Sequence, residues 1–139
     1  MGIDKWVGMC YNHIYKYILY IRGTYNMNIN FNKAPVIYWS NKLKCNYLQR
    51  YIIIHSIIYY ELNNSVISDK QFDDVSKQLI KLSKQTNNYS ETEYYYVFKN
   101  FTGETGFYLY DNLRKEDKKY LLHIAKYILK IYLKGGNDV

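Results

Sequence analysis

The run Tyr-Ile-Ile-Ile-His-Ser-Ile-Ile-Tyr-Tyr at residues 51–60 is the longest apolar stretch of the chain, and the rest must be arranged to cover it. It is too short to cross a bilayer and is interrupted by His55 and Ser56, so protein rather than lipid has to bury it. Tyr47, Tyr51, Ile54, Ile58 and Leu62 recur at steps of four, three, four and four, which stacks them on one helical face. The triple isoleucine at 52–54 has strand propensity. Periodicity sustained from Tyr47 to Leu62 nevertheless decides for a helix, with the helical pattern starting at Asn46.

The residues after that helix sharpen the fold. Asn63-Asn64-Ser65 supplies a turn, because asparagine tolerates left-handed backbone and closes local hydrogen bonds. Ser68-Asp69-Lys70-Gln71 then reads as a capping box, with Ser68 as the cap and Gln71 reaching back to it. Asp69 stands where the helix dipole favours negative charge. Phe72, Val75, Leu79 and Leu82 form the inward face of this second helix, Lys77, Lys81 and Lys84 the outward one, and Thr86-Asn87-Asn88 ends it. The two helices are expected to form an antiparallel hairpin.

The other segments fill in around it. Residues 113–134 read as a long amphipathic helix, with Leu121, Ile124, Ile128 and Ile131 buried and Gly135-Gly136 as the stop. Between residues 91 and 112, aromatic strand-prone runs at 94–98 and 107–110 flank Thr102-Gly103-Glu104-Thr105-Gly106. This pattern predicts a short β-hairpin, with a helix through Tyr96 as the competing reading. Turn formation accounts for Gly103 and Gly106 better than phosphate binding does. Residues 27–45 hold the one proline, Pro35, and are expected to form an irregular arm rather than a strand, with Trp39 plugging one end of the core. The expected class is therefore α+β, mainly α: a helical hairpin, a long C-terminal helix and a short β-hairpin.

Residues 1–26 stand apart. Tyr11, Ile14, Tyr15, Ile18 and Leu19 fit a short amphipathic helix. Alternatively, Arg22-Gly23 can be encoded by a purine-rich AGAGG stretch a short distance upstream of the codon for Met27. The expectation is that 1–26 is a translated leader or N-terminal extension, and that 27–139 is a single domain. Asn12, His13 and Lys16 break up any signal-peptide core.

A formal charge of +7 favours polyanionic partners. Lys119, His123, Lys126, Lys130 and Lys134 line one face of the last helix at steps of four, three, four and four. That stripe can dock a phosphate backbone, or it is a solvated face with its cations near the helix C-terminus. The solvated face is preferred, because no arginine or aromatic interleaves the stripe. Cys10 and Cys45 form neither a disulfide framework nor a metal spacing, and His13, His55 and His123 lie in unrelated segments. A reducing cytoplasm, no metal and no membrane partner are expected.

The corner of the hairpin is the candidate site. Asp69 and Asp73 are one turn apart and share a face. Asp73 also has Lys77 one turn below, so an ordinary surface ion pair would explain it. Two carboxylates beside Tyr59 or Tyr60 make a cradle for a flat cationic ring such as oxidised nicotinamide. With Tyr59-Tyr60, Ile67-Ser68-Asp69 and Phe72-Asp73 at their observed intervals, residues 55–73 resemble the N-terminal Ia subdomain of bacterial NAD-dependent DNA ligases. That subdomain closes over the nicotinamide mononucleotide (NMN) half of NAD. The resemblance implies that Tyr59, Tyr60, Asp69, Phe72 and Asp73 contact nicotinamide, with Phe72 standing where the family has tyrosine. From Pro35 onward the chain is also similar to small phage proteins related to these ligases, through Tyr38-Trp39, Leu48-Gln49-Arg50 and Thr105-Gly106-Phe107.

A complete ligase is excluded, because covalent nucleotidyl transfer needs Lys-x-Asp-Gly and the chain contains no Asp-Gly dipeptide. Three functions are compatible with the residues. The first is a non-catalytic phage protein holding NAD or NMN at the corner. The second is a tyrosine-rich interaction factor that blocks or redirects a host enzyme or defence system. The third is nucleic-acid binding through Lys119, Lys126, Lys130 and Lys134.

Overall fold

A computed structural model describes residues 36–135, and the expectations for residues 1–26, for Cys10 and His13 and for Pro35 lie outside them. A single 3-10 turn, Val36–Tyr38, leads into helix α1, Asn41–Tyr60. Ser40 starts α1, its hydroxyl accepting the Leu43 N–H at 3.1 Å. The helix thus begins before Asn46, and residues 41–45 belong to it rather than to an arm. Trp39 is half-buried against Tyr47, with ring centroids 5.8 Å apart.

Residues 51–58 are all buried, so α1 has no wet side over this stretch. The cause is packing on two sides: α1 contacts helix α2, Asp69–Lys84, and helix α4, Lys115–Leu133. Ile52, Ile53 and Ile57, off the face chosen by periodicity, are fully buried, whereas Tyr47 and Leu62 are only partly so. Burial on all sides is what lets an isoleucine triplet sit in a helix despite its strand propensity.

The turn between α1 and α2 forms as its residues dictate. Asn63 takes the left-handed conformation, φ 52°, and the Leu62 and Asn64 N–H groups fold back on the Ile57 and Ile58 carbonyls. Ser68 accepts the Gln71 N–H at 3.1 Å while Gln71 accepts the Ser68 N–H at 2.8 Å, closing the capping box. The short connection makes α1 and α2 antiparallel neighbours.

No strand occurs among the described residues, and the expected β-hairpin does not form. Its first arm, 94–98, instead forms a single helical turn, α3, Tyr95–Phe98, which follows a 3-10 turn, Tyr89–Glu91; residues 107–110 are turns. The helix through Tyr96, the competing reading, is the one that forms. The reason lies on α1, whose Asn46 and Gln49 side chains accept the Glu93 and Tyr94 N–H groups at 2.8 and 3.2 Å. Backbone donors that a strand ladder would have used are therefore taken by side chains. Arg50 adds an ion pair to Glu93 at 2.7 Å.

Helix α4 closes the core with Leu121, Ile124, Ala125 and Ile128 buried, Ile131 being only partly covered. Tyr96 fastens its first turn, accepting the Arg114 N–H at 3.1 Å and donating to Asp117. The Arg114 guanidinium lies over the Tyr96 ring at 4.3 Å. At the other end Gly135 adopts φ 63°, the left-handed stop expected of it.

Candidate ligand pocket at the helical corner

The end of α1, the turn and the start of α2 enclose a cavity of about 200 Å³. Tyr59, Tyr60, Asp69, Phe72 and Asp73 all line it. Tyr59 and Tyr60 stand edge-to-face, with centroids 4.8 Å apart. The turn wall is held by Ser65, whose N–H donates to Asn64 Oδ1 at 2.9 Å and whose hydroxyl donates to the Ile67 carbonyl at 2.7 Å. Asp73 does not form the expected pair with Lys77. The ion pair of α2 is Lys70 with Asp74, at 2.8 Å, which leaves Asp73 on the cavity side.

Two further residues complete the pocket, and pattern reading of the hairpin did not reach them. Glu104 and Thr105 arrive from the Gly103–Gly106 loop. Thr105 Oγ1 lies 3.1 Å from Tyr60 Oη and also accepts the Phe107 N–H at 3.2 Å. The glycines explain how the loop gets there. Gly103 has φ 87° and answers to turn formation, as expected. Gly106 answers to close approach, because an added Cβ would sit 2.0 Å from Ser56 Oγ and 3.1 Å from Phe72 Cζ. The Gly-x-x-Gly spacing was the visible signal, but its partner on α1 was not.

The electrostatics are one-sided. Asp69, Asp73 and Glu104 are three carboxylates on the lining, which contains no lysine or arginine, in a chain of net charge +7. His55, at the buried side, adds no cation, since burial pushes its imidazole down to about 3. Its ring lies 4.5 Å from that of Tyr51. The arrangement suits a compact cationic group stacked on aromatic rings. The Ser56 hydroxyl on the lining donates to the Ile52 carbonyl at 2.8 Å, back along α1.

A larger hollow of about 590 Å³ adjoins the pocket and shares Glu104 and Thr105 with it. Among the described residues no cluster of three or more His, Cys, Asp or Glu side chains is placed to hold a metal. No helix among them is long and apolar enough to cross a membrane. No protein-family model, curated protein or solved structure matches the chain.

Proposed function

We propose that this chain is a binding protein that takes the oxidised nicotinamide group of NAD or NMN in the corner pocket, without itself transferring the nucleotide. The observation that carries this is the composition of one cavity: Tyr59, Tyr60 and Phe72 with three carboxylates and no lysine or arginine. A pyridinium ring is flat and cationic, so it gains from ring stacking and from the carboxylates together. At about 200 Å³, against roughly 300–1,000 Å³ for drug-sized sites, the cavity suits one ring and its sugar better than a whole dinucleotide. The likeness of residues 55–73 to the ligase Ia subdomain supports the same ligand.

Calorimetry tests it. NMN and NAD bind, ADP-ribose does not, and NADH, whose ring is neutral, binds roughly tenfold or more weakly. Absence of NMN binding at millimolar concentration removes the proposal.

The second reading, a phage-encoded factor acting on a host enzyme or defence system, draws on the aromatic surface beside the pocket. Tyr60, Phe107 and Tyr108 continue edge-to-face from Tyr59, and Phe107 and Tyr108 are 52% and 65% exposed. Exposed aromatics in contact with one another are typical interface anchors. A host partner that binds an Asp69→Ala, Asp73→Ala double variant unchanged favours this reading.

A further inference from the structure

The outward face of α4 carries more than lysines. Lys119, Lys126, Lys130 and Lys134 are exposed, and none forms an ion pair among the described residues. From residue 119 to residue 134 there is no acidic side chain. With a rise of about 1.5 Å per residue, the four charges span roughly 22 Å. Tyr120 and Tyr127 flank this row, 41% and 50% exposed. Seven residues apart, they lie on one side of the helix about 10 Å from each other. The row itself holds no aromatic, but these two exposed tyrosines border it.

We infer that this lysine and tyrosine face of α4 is a docking surface for single-stranded nucleic acid. The lysines meet phosphates, and the two tyrosines offer rings on which unpaired bases stack. Charge complementarity selects a polyanion, and the tyrosines select one with accessible bases. In a duplex those bases are stacked and hidden, so only the phosphate contribution remains. An anionic membrane fits less well. A helix lying in the lipid interface buries an apolar face there, whereas Leu121, Ile124, Ala125 and Ile128 are committed to the protein core and Leu133, at the helix end, is the one large aliphatic side chain of α4 that is exposed. This surface is separate from the corner pocket, so each can fail without the other.

Fluorescence anisotropy of the whole chain with a labelled oligothymidylate, a duplex of equal length and phosphatidylserine vesicles tests the inference. The single strand binds most tightly, with log K falling against log salt at a slope of about −3, from four lysines at roughly 0.7 each. Lys126→Glu with Lys130→Glu lowers single-strand affinity tenfold or more. Tyr127→Ala lowers it roughly fivefold or more while leaving the salt slope unchanged. Circular dichroism and NMN binding stay unaltered in both variants, so a loss is not unfolding. No single-strand binding at low salt, equal duplex binding, tighter vesicle binding, or indifference to the charge reversal each overturns it.

Discussion

Gln49 ties the middle of the chain to α1, and its replacement gives the most direct test of that connection. It is fully buried on α1, donates from Nε2 to Thr92 Oγ1 at 2.9 Å and accepts the Tyr94 N–H at 3.2 Å. Thr92 in turn donates its hydroxyl to the Tyr89 carbonyl at 2.7 Å. Replacing Gln49 by leucine keeps the volume but strands the Tyr94 N–H, a buried donor whose lost partner costs about 1–3 kcal/mol. The lost donor to Thr92 adds about 1 kcal/mol, and the greater apolarity of leucine offsets part of the sum. The net expectation is a destabilisation of about 2–3 kcal/mol, a fall in Tm on the order of 10 °C. Urea unfolding followed by far-ultraviolet circular dichroism measures it. Gln49→Glu is the informative partner. Protonated, its carboxyl can donate to Thr92 and accept from Tyr94 as glutamine does; ionised, it is a buried charge with no donor for Thr92. Burial raises that carboxyl's pKa in the folded state, so the deficit relative to wild type is small at acid pH and grows as pH rises. A Gln49→Leu loss below about 0.5 kcal/mol, the scale of an ordinary surface substitution, or a pH-independent Gln49→Glu deficit, refutes the reasoning.

Other positions give shorter tests. His55 has its folded pKa lowered from 6.5 to about 3 by burial, so the unfolded chain binds the extra proton between those values. Stability is then complete above about pH 7 and falls by about 1.4 kcal/mol per unit as pH drops through that window; His55→Leu flattens this part of the urea-derived profile. Gly106→Ala is expected to cost about 2 kcal/mol by overpacking against Ser56 and to weaken NMN binding by displacing the pocket wall. Ser56→Gly in the same chain recovers part of both, read by a double-mutant cycle. Ser68→Ala removes the α2 cap and lowers stability by about 1 kcal/mol in the same denaturation assay.

Local chemistry made the hairpin legible. The Ser68–Gln71 box, the left-handed Asn63 and the glycine after α4 each depend on neighbours within a few positions, and each stands where its residues put it. For the same reason Tyr59, Tyr60, Asp69 and Asp73 could be gathered at the corner from their spacing, since one hairpin carries them; Phe72, read as part of the inward face of α2, joined the set only through the ligase resemblance. The illegible parts came from distant partners. The aromatic run at 94–98 looked strand-forming because nothing in its own letters reveals that Asn46 and Gln49 would claim its N–H groups. Glu104 and Thr105 reach the pocket only because Gly106 lies against Ser56. Along α1 the period of apolar residues misled in part, as a helix covered on two sides has no single stripe to find.

That double coverage of α1 has a consequence for how the protein is made. Of its two packing partners, α2 follows at once, while α4 is synthesised last of the described helices. Until the ribosome has released residues 115–133, α1, which carries Ile52, Ile53, Ile54, Ile57 and Ile58, lacks one of its two packing partners. An uncharged, β-branched segment left bare during translation is the kind that pairs with other nascent chains. Yield should therefore fall when translation stalls in the 99–114 connection and recover when a holding chaperone is supplied in excess.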